Sequence, residues 1–222
     1  MLKLFSQALI KVSAGIILMA VLLFLPAGTL HFCQAWLLLA LLFIPMLFVG
    51  TFMLFKAPDL LKRRLDVKEK RSTQQGVIKF SALLFIAAFI IAGLDHRFNW
   101  SVTPAWLSYA ASAVFLIGYG LYAEVLRENT WLSRTIKVDE KQQVISSGLY
   151  GIVRHPMYSA TLLMFLSMPL ILGSWWAFAI LLLYIPIIVC RIFDEEELLR
   201  NELNGYSDYC QHLRWRLIPF VW

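Results

Sequence analysis

The apolar positions of this chain fall in long unbroken blocks rather than in the short periods of an amphipathic surface helix or strand. No Asp, Glu, Lys or Arg occurs in Val12–Phe55, Phe80–Leu94, Phe98–Ala123 or Met157–Cys190. Blocks of about 20 apolar residues are the length a helix needs to cross a bilayer. A soluble chain of 222 residues has no core wide enough to hide such helices on every face. The first block is too long for one span, because a single helix over it would reach about 66 Å at 1.5 Å per residue. Pro26-Ala27-Gly28-Thr29 supplies a turn, which predicts spans over 4–25 and 32–55. A second hairpin is expected from spans 77–94 and 104–125, turning around Asp95-His96-Arg97-Phe98-Asn99. The last block would make a helix of about 51 Å, beyond a hydrocarbon core of about 30 Å. Pro169 and Gly173-Ser174 therefore predict a short hairpin, 158–172 and 175–190. The expected fold is all-α: a polytopic integral membrane protein of about six (five to six) transmembrane helices in three hairpins, with a cytoplasmic C-terminal helix.

Charge then orients the bundle. Lys56–Lys79 holds eight basic residues, Leu126–Pro156 five and the segment from Arg191 four, whereas the other connections carry only Arg97. The positive-inside rule puts all three basic segments, and both termini, on the cytoplasmic side of the cell (inner or plasma) membrane. Residues 1–125 read as an N-terminal group of spans and 126–222 as the region that carries chemistry. The formal net charge of +6 belongs to this orientation and not to nucleic-acid binding. At 60% hydrophobic and 15% charged, the composition excludes a water-soluble or disordered chain. Cys33, Cys190 and Cys210, with four scattered histidines, show neither a disulfide framework nor the ligand spacing of a metal site, so no metal is expected. Lys11 followed by Val12–Leu25 has the outline of a signal peptide, but no A-x-A site follows and further apolar segments do.

Two polar clusters stand at the ends of the last hairpin. The first is Gly148-Leu149-Tyr150-Gly151-Ile152-Val153-Arg154-His155-Pro156-Met157-Tyr158, with Pro156 suited to a first helical turn. Arg154 and His155 then sit beside the free N–H groups of a helix N-terminus, a setting for an anionic group. The second is Arg191-Ile192-Phe193-Asp194-Glu195-Glu196-Glu197, whose adjacent carboxylates need a compensating cation. Helical spacing puts Glu195, Leu198, Leu199 and Glu202 on one face. A hairpin brings Arg154-His155 and Glu195-Glu196 to the same side and depth, where opposite charges suit a zwitterion. The amino-acid end of S-adenosylmethionine is one such group, though these residues alone do not single it out.

The stretches G-L-Y-x-x-V-R-H-P-M-Y, E-E-x-L-L, E-L-x-G-Y-x-x-Y and R-W-R-L-I-P-x-V-W resemble the C-terminal signature of the isoprenylcysteine carboxyl methyltransferase family. The likeness is to its bacterial branch, related to phospholipid methyltransferases. It runs from about Arg127 to Trp222 and takes in Glu128-Asn129-Thr130 and Ser133-Arg134-Thr135. The resemblance implies a metal-free S-adenosylmethionine site, open to the cytoplasm for cofactor and to the bilayer for a lipophilic or prenylated acceptor. Membrane lipids are then the expected surroundings, and neither nucleic acid nor an obligate protein partner is expected. Carried over by position, His155, Tyr158, Glu195 and Glu196 contact cofactor, Gly148 and Tyr150 shape the loop over it, and Tyr206 and Tyr209 close the pocket. Arg154 and Arg191 are the candidates for holding a carboxylate of cofactor or acceptor. The implied catalytic set is Arg154, His155, Arg191 and Glu196.

The implied reaction is methyl transfer to a lipophilic membrane-borne acceptor, most simply a carboxylate. One alternative is N-methylation of a phospholipid or other amine, with His155 or a Glu removing the proton. Another is a sterol-type membrane reductase using NADPH, which typically shows Asn after R-H-P where this chain has Met157. A non-catalytic scaffold is the third. The N-terminal half carries no motif from which an acceptor can be read.

Overall fold

The computed structural model describes residues 2–65, 72–132, 138 and 142–222. Ser133-Arg134-Thr135 and part of the basic 56–79 connection lie outside the described residues. The helices are α1 (Leu2–Ala27), α2 (Cys33–Lys56), α3 (Pro58–Leu65), α4 (Ser72–Phe98), α5 (Ala105–Glu128), α6 (Pro156–Ile171), α7 (Trp175–Leu182), α8 (Tyr184–Glu202) and α9 (Tyr206–His212). A 3-10 turn covers Gly148–Gly151, and the described residues contain no strand. Five stretches are long and apolar enough to cross a membrane, among them Trp175–Glu202, which takes in α7 and α8. The sixteen-residue α6 is apolar but shorter. The chain is therefore an all-helical, polytopic integral membrane protein.

The structure sets the helix boundaries more finely than the sequence pattern does. The third span extends beyond 77–94 to Ser72–Phe98, so Asp95-His96-Arg97-Phe98 ends a helix and does not form a turn. Asp95 is buried and accepts hydrogen bonds from Ser101 N (2.7 Å), Ser101 Oγ (2.6 Å) and Ser174 Oγ. With its carboxylate satisfied by the next loop, the helix can continue to Phe98, and the reversal starts at Asn99, whose φ of 52° leaves helical space. The sixth span is interrupted at Leu183, because Pro186 has no N–H to give the preceding turn. Finally, α8 does not stop at Cys190. It carries through the acidic cluster to Glu202, so span and acidic helix are one rod. At 1.5 Å per residue the 28-residue stretch from Trp175 is about 42 Å long, enough to lift its last turns clear of a hydrocarbon core of about 30 Å.

Within the bundle α4 packs on α1 and α7, and α5 packs along α6. The α5–α6 seam is tight because Gly118 faces Met164 and the Ala160 carbonyl, where a Cβ would stand 2.8 Å and 3.1 Å from them. Small residues at such seams let backbones approach where lipid gives no hydrophobic drive to association. The central cluster joins Leu23, Phe32 and Leu38 to Phe115, Met168, Ile171 and Leu181, all buried. The seam fixes where α6 begins, and so where His155 stands.

A recess and a chamber meeting at one tyrosine

The loop before α6 is held from three directions. Gly148 has φ +56°, and the Glu128 carboxylate occupies the space a Cβ would take, so both backbone and contact require glycine. That carboxylate accepts the Leu149 N–H at 2.9–3.1 Å. Asn129 Nδ2 donates to the Tyr150 hydroxyl (2.9 Å), and the Tyr209 hydroxyl donates to the Tyr150 carbonyl (2.6 Å). Arg154 N and His155 N donate to the carbonyls of Trp215 and Arg216 (2.8 and 2.9 Å), and Ser159 Oγ donates to Leu217 O (2.6 Å). The tail is folded for this task by its own turn, in which the N–H groups of residues 216–218 donate to Trp222 O. His155 is the residue before the first turn of α6, with Pro156 at the position expected for it.

Glu196 organises the charges. Only 3% exposed, it receives Arg154 Nη2 at 2.9 Å, and Arg216 Nε lies 3.2 Å from both carboxylate oxygens. His155 Nε2 lies 3.2 Å from Oε1, and Arg200 adds a longer contact at 3.7 Å. The Arg216 guanidinium lies over the contacting rings of Phe193 and Trp222, 5.2 Å from each centroid. Beside this cluster the Tyr158 hydroxyl donates to Glu195 Oε2 (2.5 Å) and accepts from Arg191 Nε (2.9 Å).

These groups line a recess walled by Asn129, Trp131, Val144, Tyr150, Arg154, His155, Tyr158, Arg191, Glu195, Leu199, Tyr206 and Tyr209. It measures about 90 Å³ as a cavity and about 850 Å³ with its open mouth counted. Burial pushes the phenols of Tyr150, Tyr206 and Tyr209 well above their ordinary pKa, so all three are neutral hydroxyls. Two buried polar atoms on its lining, Arg154 Nε and the Tyr206 hydroxyl, have no hydrogen-bond partner among the described residues. Buried polar groups are normally paired, and these two donors mark where a ligand acceptor fits.

On the other face of Tyr158 lies an open chamber of about 560 Å³, lined by residues of α2, α3, α4, α5, α6 and α8. Its lining is mainly apolar and aromatic: Leu42, Met46, Val77, Ile78, Phe85, Tyr119, Tyr122, Met164, Phe165 and Tyr184. Phe85, Phe165 and Tyr184 pack edge to face with centroids 4.8–5.5 Å apart. The charged residues lining the chamber are Arg64 and Arg191, and no described carboxylate lines it. Met157, Tyr158 and Arg191 line both compartments.

Of the residues singled out in the sequence, Tyr150, Arg154, His155, Tyr158, Arg191, Glu195, Tyr206 and Tyr209 line the recess. Glu196 and Gly148 do not. Glu196 stands behind the wall holding Arg154, His155 and Arg216, and Gly148 is set against Glu128. The sequence reading did not assign roles to Asn129, Trp131 and Val144 of the recess, nor to Arg64, Phe85 and Tyr122 of the chamber. The helical face Glu195, Leu198, Leu199 was a usable signal, and all three face the recess. Among the described residues no group of three His, Cys, Asp or Glu side chains could hold a metal ion.

Comparison with known proteins finds partial likenesses. The curated Delta(14)-sterol reductase TM7SF2 of Mus musculus is 32% identical over 91 residues, 40% of this chain. The chain spans about a fifth (22%) of that reductase's length. The solved structure of the eukaryotic intramembrane Ras methyltransferase ICMT aligns over 96% of this chain and 84% of its own, at 18% identity and a TM-score of 0.49. The phospholipid methyltransferase family model matches residues 106–204, from α5 to the end of α8 and the loop wrapped between them. Over these residues, less than half of its length, the chain is similar to the phospholipid methyltransferase family.

Proposed function

We propose that the recess takes S-adenosylmethionine and the chamber a lipophilic, membrane-borne acceptor, with methyl transfer to an acceptor carboxylate where the two meet. The observation that carries this reading is that one tyrosine–arginine pair, Tyr158–Arg191, is a wall of both compartments. The residues present fit the cofactor. Arg154 offers a cation with an unpartnered Nε, Glu195 a carboxylate and Tyr206 an unpartnered hydroxyl, a mixed-sign set suited to a zwitterionic amino-acid end and ribose hydroxyls. Asn129, Trp131 and the neutral tyrosines complete a polar, aromatic lining. When bound, the cofactor offers a sulfonium methyl to a nucleophile aligned with the carbon–sulfur bond, leaving S-adenosylhomocysteine.

The protein's own task is alignment and exclusion of water. Glu196 fixes Arg154 and His155, while Glu195 and Arg191 fix the Tyr158 hydroxyl between them. A carboxylate acceptor is already a nucleophile, so no base is required. Arg191, at the junction, is the group placed to hold it. An amine acceptor would be served by an acid facing the chamber, and no described carboxylate lines it. The local likeness to a sterol reductase favours one second reading, in which the recess takes NADPH. The basic segments put the recess on the cytoplasmic side, with both termini.

Calorimetric titration of detergent-purified protein with S-adenosylhomocysteine and with NADPH tests the assignment. S-adenosylhomocysteine binds wild type and loses at least tenfold in affinity in Glu195→Gln and in Tyr206→Phe, with NADPH silent. Binding of NADPH alone transfers the protein to the reductase reading, and binding of neither removes the recess as a nucleotide-derived site.

A further inference from the structure

We infer that Arg64, a residue of the N-terminal half outside the matched region, selects the acceptor by its head group, admitting an anionic amphiphile and rejecting its neutral counterpart. This rests on the proposed division into cofactor recess and acceptor chamber. The N-terminal half carries no acceptor motif in its sequence, yet the fold brings one of its cations to the chamber. Helix α3 is short and packs through Leu60 and Leu61 against Met53, Leu54 and Leu126. Its last turn is held to α1 by the Lys11 ammonium, which donates to the Leu65 carbonyl. That packing splits two adjacent arginines. Arg63 turns to the Trp131 ring, 5.3 Å from its centroid, and does not line the chamber. Arg64 turns inward over Tyr122, 5.5 Å from the ring centroid, and donates to the Tyr122 hydroxyl. Both Arg64 and Tyr122 line the chamber.

The sign of the charge carries the argument. The recess is lined by cations and the carboxylate of Glu195, whereas the chamber's described charged residues are two guanidiniums, Arg64 and Arg191, set among apolar and aromatic side chains. In surroundings of low dielectric a head group of opposite sign is favoured and one of like sign excluded far more strongly than in water. Guanidinium is also the cation whose fork of N–H donors matches a carboxylate. Arg191 is shared with the recess and tied to Tyr158, so it belongs to the reaction junction. Arg64 belongs to the chamber alone, and is a specificity residue and not a catalytic one.

The chamber volume, about 560 Å³, is in the range of small-molecule sites, and a single-tailed amphiphile is the probe matched to it. Suitable probes are N-acetyl-S-hexadecylcysteine, ionised at neutral pH, and its uncharged carboxamide, titrated into protein in the same micelles. Wild type should bind the acid at least tenfold more tightly than the amide. Arg64→Gln should cut that preference several-fold, leaving only what Arg191 supplies, Arg64→Lys should retain more of it, and Arg63→Gln should leave it intact. S-adenosylhomocysteine binding should be the same in all four proteins, which separates this inference from the cofactor assignment. An unchanged acid-to-amide ratio in Arg64→Gln, or no preference in wild type, overturns the role of Arg64. Loss of S-adenosylhomocysteine binding in wild type would instead overturn the reading on which it rests.

Discussion

At Glu196 two guanidiniums and an imidazole converge within 3.2 Å on a carboxylate that is almost wholly buried. Removing one partner of a buried ion pair leaves uncompensated charge, which costs about 3–5 kcal/mol. Glu196→Ala is therefore expected to lower thermal stability in detergent markedly, with Arg154 and Arg216 stranded. Glu195 differs in kind, since it lines the recess and holds one tyrosine. Glu195→Gln should melt within a few degrees of wild type while losing cofactor affinity, so paired melting and titration curves distinguish the two neighbours. A comparable stability loss in both variants would refute the distinction. Gly148 gives a second residue-scale prediction. A side chain there meets both a left-handed φ and the Glu128 carboxylate, so Gly148→Ala should destabilise the loop by about 1–3 kcal/mol. Faster proteolytic cleavage between residues 142 and 155 would report it, and unchanged protection would contradict it. The family resemblance gave both acidic residues a cofactor contact, while helical spacing set Glu195 alone on the face with Leu198 and Leu199. In the structure Glu195 stays on the recess, and Glu196 is turned to Arg154, His155 and Arg216.

Among the elements, α6 and the α7–α8 rod decide where the chemistry stands, and their outer turn is held by one carboxylate. Asp95 accepts from Ser101 and Ser174, while Ser101 Oγ and Ser174 Oγ in turn accept the N–H groups of Trp175 and Ala177. Asp95→Ala strands these donors, at about 1–3 kcal/mol for buried groups left unsatisfied. It should lower the melting temperature and leave S-adenosylhomocysteine affinity in the folded protein unchanged. A selective loss of affinity without loss of stability would contradict a purely structural role. Helix existence was legible here because uncharged blocks and Pro-Gly punctuation dictate it. The ends were less so. Asp95 reads as a turn residue in a one-dimensional pattern, and its partners Ser101 and Ser174 are 6 and 79 residues away. A helix through Glu195–Glu202 was read from its spacing, but not its unbroken continuity with the span, since its acidic turns are compensated by Arg154 and Arg216 from elsewhere in the chain.

For the whole molecule, the recess was largely readable, because its R-H-P, acidic and Y-x-x-Y elements lie within one contiguous third of the chain. The chamber was not. Its residues come from α2, α3, α4, α5, α6 and α8 and share only apolar character, so no spacing announces them. The aromatic group of Phe85, Phe165 and Tyr184 packs across three of those helices. Phe85→Ala enlarges the space there and should shift the preferred acceptor tail by several carbons toward longer chains, read with a series of S-alkyl cysteine probes. An unaltered length preference would separate this group from the acceptor path.

The proposed function requires the cofactor and acceptor compartments to meet at Tyr158 and Arg191. A cryo-electron microscopy structure of the protein with bound S-adenosylhomocysteine tests it most directly. The amino-acid end is expected near Arg154 and Glu195, with the sulfur turned toward Tyr158 and the chamber. A ligand held outside the recess, or one whose sulfur faces away from Tyr158, would contradict it.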